Sequence, residues 1–147
     1  MRFLILFLAL AGVLVSSMAL RIHYSTGTEP CSINETWDCG VVNHSPFAEI
    51  EHVPVAAIGI AGYVVLAGLA LARRRALLAI LAVLGLAFSL YLTGIEKDVL
   101  EVYCLYCVIS LVIMDYLADY VVEPVVGAFG SSGTAPPAHR DLRPGCG

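Results

Sequence analysis

The chain has 147 residues, of which 59% are hydrophobic and 14% charged, and its formal net charge is -4 at pH 7. Soluble domains lie nearer half apolar and a quarter charged, so this composition is that of a membrane protein. With no basic stripe to neutralise phosphates, nucleic acid is excluded as a partner.

The first apolar run, FLILFLALAGVLVSSMAL, covers residues 3–20. A helix crosses a bilayer with about 20 apolar residues, and this run is predicted to do so. Its basic start and Ser17-Met18-Ala19 also fit a secretory signal with a small-residue cleavage site. The run exceeds the roughly 7–15 apolar residues of a signal core, which favours a retained helix. Either reading exports the segment that follows. That segment, residues 21–52, is polar and contains PCSINETWDC, with Cys31 and Cys39. A disulfide there would restrict the unfolded chain by about 2.5 kcal/mol. His44 and His52, further along the loop, are read as solvated.

The second span, VPVAAIGIAGYVVLAGLALA over 53–72, is followed by Arg73, Arg74 and Arg75, and the third, ALLAILAVLGLAFSLYLTGI, covers 76–95. After a short connection over 96–101, the fourth span, VYCLYCVISLVIMDYLADYVV, covers 102–122. It carries Cys104 and Cys107 near its start and Asp115 and Asp119 towards its far end. The two aspartates are expected to pair with Arg73–Arg75 or to snorkel. Trp37 and Tyr103 are expected in an interfacial aromatic belt. No period-two alternation points to a barrel, and lipid admits only helices otherwise. The remaining stretch, 126–147, is rich in Gly, Pro and Ser without an apolar period and reads as a disordered cytoplasmic tail. The predicted fold is all-α and integral to the membrane. Four transmembrane helices form one domain over 1–125, with a cysteine-containing loop capping the outer end.

Orientation follows from Lys and Arg, which stay inside. Arg2 and Arg73–Arg75 mark one side, whereas the other two connections hold only Arg21 and Lys97 among many acids. Both termini and the triple arginine are therefore predicted inside. Cys31, Cys39, Cys104 and Cys107 then face outward, where disulfides persist, and Cys146 lies inside as a reduced thiol.

Residues three apart on a helix rise about 4.5 Å and point to neighbouring faces, a separation that suits a disulfide between Cys104 and Cys107. Two cysteine pairs at the same face form a relay by thiolate attack, whose natural end is a lipid-soluble electron carrier. Two other readings stand beside it. Four thiolates can bind zinc, although the step from Cys31 to Cys39 exceeds the usual spacing of a zinc half-site. The disulfides can also be plain staples.

The ordered set of Cys31 and Cys39 in C-x7-C, Ser45 six positions on, the proline-containing entry HVPVAAIGIAGY and CLYC at the head of the fourth span resembles the vitamin K epoxide reductase family. The resemblance covers about 1–125. It implies a helix bundle around a quinone of the ubiquinone, menaquinone or vitamin K type. Cys104 and Cys107 are then the active pair, with Cys107 next to the quinone. Cys31 and Cys39 are the shuttle pair, passing electrons from Cys39 to Cys104. The implied partner is a thioredoxin-like periplasmic disulfide oxidant of the DsbA type, expected to act in trans because the chain has no room for a fused domain. Val55 and Leu111 stand where animal enzymes carry quinone-binding asparagine and tyrosine, which points to bacterial-type quinone reduction rather than epoxide reduction. Asn43, Ser45 and Tyr63 are the candidate quinone contacts. The implied location is the inner or plasma membrane with the four cysteines on the periplasmic or outer face, or the ER membrane in a eukaryote. The implied role is support of disulfide formation in exported proteins.

Overall fold

A computed structural model describes residues 2–26 and 31–130, with side chains to residue 128. Helix α1 spans Arg2–His23, the short α2 Cys39–Asn43, α3 Val55–Leu71, α4 Arg75–Ile95 and α5 Leu105–Gly130. A π-helical turn, Glu96–Leu100, prolongs α4, and Glu101 ends it in the left-handed region at φ 55°. Helices α1, α4 with its π turn, and α5 are long and apolar enough to cross a membrane, and α3 is a shorter apolar helix. The protein is a four-helix membrane bundle, as the apolar runs imply.

α5 continues through Pro124 to Gly130, so residues 126–130, read from sequence as the start of the tail, are helical. The rest of the predicted tail, 131–147, and Cys146 lie outside the described residues.

The helices form a closed ring in which α1 packs on α3 and α5, and α4 packs on α5 and α3. The core between them is built by Ile5, Tyr63, Leu66, Leu78, Ala82, Met114 and Leu117. Large side chains such as Phe3, Leu10, Val64, Leu84 and Tyr116 point outward and are exposed. In water such a surface would drive aggregation; against acyl chains it is the favourable one. Asp115 and Asp119 are exposed on α5. Among the described residues neither pairs with Arg73–Arg75, so the pairing expected from sequence is absent.

One close approach sets the bundle's geometry. Gly12 of α1 faces the ring of Tyr63 on α3 so closely that a Cβ at Gly12 would overlap it. The Tyr63 hydroxyl reaches α5, 3.0 Å from the Ser110 carbonyl and 2.8 Å from Ser110 Oγ. A single buried phenol therefore ties three helices together, and its hydrogen bonds satisfy its polar end.

At the end of the bundle where α1 stops, the loop structure takes over. Asp38 caps α2, its Oδ1 accepting from the Gly40 and Val41 amides at 2.9 and 3.2 Å and from Ser32 Oγ at 2.8 Å. These donors hold its carboxyl below the ordinary value of 3.8, Ser32 contributing most. A two-residue turn at Glu51 and His52 joins the strands β1, Glu49–Ile50, and β2, Val53–Pro54. Both turn residues have positive φ, 50° and 68°, the conformation that tight hairpins require and that glycine or asparagine adopt at less cost.

Two expected outcomes follow. Gly12→Val should lower bundle stability by roughly 1–3 kcal/mol through overpacking, whereas Gly68→Ala, where nothing lies within 4 Å, should be tolerated. Thermal unfolding in mild detergent reads both. Asp38→Ala should cost about 1 kcal/mol at neutral pH through loss of the helix cap. Because the folded carboxyl titrates below its unfolded value, its contribution is present above pH 3.8 and disappears as pH falls through the lower folded value. Wild type and variant should therefore converge in strong acid.

Candidate functional site: two cysteine pairs at the head of a cavity

A parallel backbone bridge between Trp37 and Tyr103 builds the site. Tyr103 N–H donates to the Thr36 carbonyl at 2.8 Å, and Asp38 N–H donates to the Tyr103 carbonyl at 3.1 Å. The two aromatic rings pack beside this bridge with centroids 5.6 Å apart. The bridge sits one or two residues before Cys39 on one strand and one before Cys104 on the other. Local pairing thus brings together cysteines far apart in sequence.

Cys31 and Cys39 form a disulfide with a Cα–Cα distance of 5.7 Å, and Cys104 and Cys107 are free thiols. Cys31, Cys39 and Cys104 are buried in one cluster with Ile22 and Val42, and Cys107 packs against it. Asn43, itself buried, joins the pairs: its Nδ2 donates to the Cys39 carbonyl at 2.8 Å and to Cys104 Sγ at 3.5 Å. Cys104 precedes α5 and its carbonyl accepts from Val108 N–H at 3.0 Å, so Cys107 falls within the first turn, adjacent to it.

Glu96 is the residue that sequence reading missed. In the sequence it is one acid of the short connection over 96–101. In the fold it is 3% exposed, and its Oε2 accepts the Cys104 amide at 3.1 Å. Its carboxyl group also meets the Cys107 thiol. Glu96 continues the face of α4 that brings Gly85, Ser89 and Leu92 to the interior, whereas Lys97 and Asp98 are exposed. An acid in the last turn of an apolar span, eight residues before a cysteine, is the only signal the sequence carried.

Cys107 and Glu96 line a cavity of about 490 Å3 between α1, α3, α4 and α5, which Asn43, Ser45, Tyr63, His23 and Ser110 also line. The size falls within the roughly 300–1,000 Å3 of small-molecule sites, and an apolar wall with few polar groups is their usual form. All three residues singled out as quinone contacts therefore stand on one cavity wall. Each already directs its hydrogens to protein atoms. Asn43 uses both amide protons on the cysteines, Ser45 Oγ donates to the Val42 carbonyl at 2.8 Å, and Tyr63 bonds Ser110. A flat, apolar ring with carbonyl oxygens suits such a wall, by shape and by the exchange of one of these bonds.

With Cys31 and Cys39 joined, two of the four thiolates of a tetrahedral zinc site are committed elsewhere. His44, read as solvated, is exposed yet held, its nitrogens 2.8 Å from the Gly40 carbonyl and 3.1 Å from that of Ser25.

No curated protein matches the chain. The family model described as Vitamin K epoxide reductase family matches residues 3–122, the bundle and both cysteine pairs. A bundle that buries two cysteine pairs above a quinone-sized cavity agrees with that match: the chain belongs to the vitamin K epoxide reductase family, multi-pass membrane oxidoreductases that link a cysteine pair to a quinone.

Proposed function

We propose that the protein is a bacterial-type member that takes electrons from a thioredoxin-like oxidant of the DsbA type and so supports disulfide formation in exported proteins. The observation that carries this reading is the Asn43 bridge, which holds the shuttle cysteine Cys39 and the active-pair cysteine Cys104 in one buried cluster while Cys107 faces the cavity. Thiol–disulfide exchange needs a thiolate to reach a sulfur directly, and this cluster supplies that proximity.

The partner's thiolate attacks Cys31, and Cys39 leaves with the electron pair. Because Cys31 is itself buried, the partner must displace part of the loop to reach it. The Cys39 thiolate then attacks Cys104 of a Cys104–Cys107 disulfide, forming a Cys39–Cys104 bond and releasing Cys107. The partner's second thiolate attacks its own sulfur in the partner–Cys31 bond, which closes the partner's disulfide and frees Cys31 as a thiolate; Cys31 then attacks Cys39 and frees Cys104. The result is the oxidation state in the structure, with Cys31–Cys39 bonded and Cys104 and Cys107 reduced. Oxidation of the latter two to a disulfide releases two electrons and two protons at the cavity wall. A quinone held beside Cys107, against Tyr63, Asn43 and Ser45, supplies the two-electron, two-proton sink. Only a high-potential sink can reoxidise a partner near -120 mV, which favours this direction of flow. The charge asymmetry of Arg2 and Arg73–Arg75 supports an inner or plasma membrane location with the cysteines on the periplasmic or outer face.

Three experiments test the reading. Cys31→Ala removes the resolving thiol, so a Cys39–Cys104 crosslink should accumulate, with Cys107 the free thiol of the three. Peptide mapping without reductant detects it. Cys107→Ala should abolish quinone reduction by any dithiol. Persistence of a Cys104–Cys107 bond with Cys39 free during turnover would return the loop pair to a structural role. For orientation, single cysteines at Glu35 and at Ala76, in a background without native cysteines, should differ: an impermeant reagent added outside should label the first and spare the second. Labelling at Ala76 alone would invert the protein and place its cysteines in a reducing compartment.

A further inference from the structure

Glu96 is a buried carboxyl without a cation. It is 3% exposed where α4 passes into its π turn, and among the described residues no Lys, Arg or His lies within ion-pair distance of it. An ionisable side chain held in apolar surroundings inside a membrane protein is costly, and such residues serve function by default. One partner of Glu96 is the Cys104 amide, which donates to Oε2 at 3.1 Å and fixes the carboxyl at the head of α5. The other is the Cys107 thiol. Between a thiol and a carboxylate only the thiol donates, so the hydrogen in that contact comes from Cys107.

The contact opens on the cavity. Glu96 and Cys107 both line it, and Glu96 is the only carboxyl among the described residues that do. Two other polar groups of the wall are engaged away from the thiol, His23 with the Asn43 carbonyl and Glu49, and Tyr63 with Ser110. A proton that moves from Cys107 to Glu96 shifts one negative charge from oxygen to sulfur. It creates no second buried ion, and the cost of burying one is what would otherwise oppose ionising this thiol.

Oxidation of the active pair breaks two S–H bonds, forms the S–S bond and sends two electrons and two protons to the acceptor. We propose that Glu96 is a catalytic residue of this step, taking the Cys107 proton as that sulfur gives up electrons and passing it to one oxygen of the acceptor. The second oxygen takes the proton that Cys104 loses as it bonds Cys107. Glu96 ends as the carboxylate it began. The preceding exchange steps free both cysteines as thiolates, while the two thiols of the donor release two protons to solution. Two protons return from solution to the thiolates and restore the thiols, so the cycle balances. This role rests on the thiol–quinone reading above.

A spectroscopic and a kinetic arm test it. In detergent-solubilised, quinone-free, reduced protein carrying Cys146→Ala, the infrared S–H stretch of Cys107, identified by its loss in Cys107→Ser, should lie at the lowered frequency of a thiol bonded to a carboxylate. Glu96→Gln should move it towards the free-thiol frequency. Glutamine keeps an oxygen for the Cys104 amide but takes up no proton. With dithiothreitol as donor and decyl-ubiquinone as acceptor, Glu96→Gln should therefore lower kcat roughly 100-fold, within the range of general acid–base catalysis, with KM little changed. The Cys39–Cys104 crosslink should form in Cys31→Ala with Glu96→Gln as it does in Cys31→Ala alone. The exposed Asp98, changed to Asn, should leave activity at the wild-type level. Wild-type kcat in Glu96→Gln, a loss confined to KM, or failure of the crosslink, which would make Glu96 a positioning residue, would each overturn the proposal. So would a Cys107 band at the free-thiol frequency with Glu96 intact, a result that stands even where Glu96→Gln does not fold. Failure of the wild type to reduce the quinone would overturn instead the thiol–quinone reading, and the S–H band would still show whether Glu96 holds the Cys107 proton.

Discussion

The side-chain amide of Asn43 spends one hydrogen on the Cys39 carbonyl and the other on the Cys104 thiol, and the site depends on that bridge. Sulfur exchange is a contact reaction: a thiolate that cannot reach its target along the disulfide axis does nothing, whatever its reactivity. Cys39 and Cys104 come from segments with two transmembrane helices between them. The Trp37–Tyr103 bridge sets their register, and Asn43, four residues after Cys39 on α2, locks it. Asp38 starts α2 in the right direction by capping it, which aims Asn43 back at the cysteines.

A membrane imposes the rest. Backbone polar groups in lipid must be satisfied within helices, and charges away from water must be paired or hydrogen-bonded. Inside the bundle the middle of the core is apolar around Tyr63, and the buried polar groups of the site gather at one end. There Glu96 is bonded to the Cys104 amide, and His23 to Glu49 and the Asn43 carbonyl. The cavity runs from these groups down between the helices. A redox pair placed at its head can face protein thiols on one side and an apolar carrier on the other.

Much of this was legible in the order of residues. Four apolar runs of membrane length, separated by a triple arginine and two acidic connections, specify a helix bundle, because hydrocarbon thickness and backbone hydrogen bonding leave no other solution. The Cys-x-x-Cys spacing places two thiols on one helical turn, and the polar setting of Cys31 and Cys39 places them in a loop. Asn43, Ser45 and Tyr63, the candidate quinone contacts, line the cavity. These features depend on local periodicity or on distances of a few residues, which a linear reading measures well.

Three features were settled only by the packed fold. Glu96 looks like any acid in a connecting loop until the Cys104 segment brings its amide to the Glu96 carboxylate. His23 looks like a basic helix end until α2 brings the Asn43 carbonyl to one nitrogen and β1 brings Glu49 to the other. The engagement of Asn43 with both cysteine pairs is likewise invisible before α2 and the Tyr103 segment meet. In each case the role belongs to a partner distant in the chain. A residue's composition and its neighbours determine which structure it favours; which acceptor its proton finds depends on where several separate elements come together.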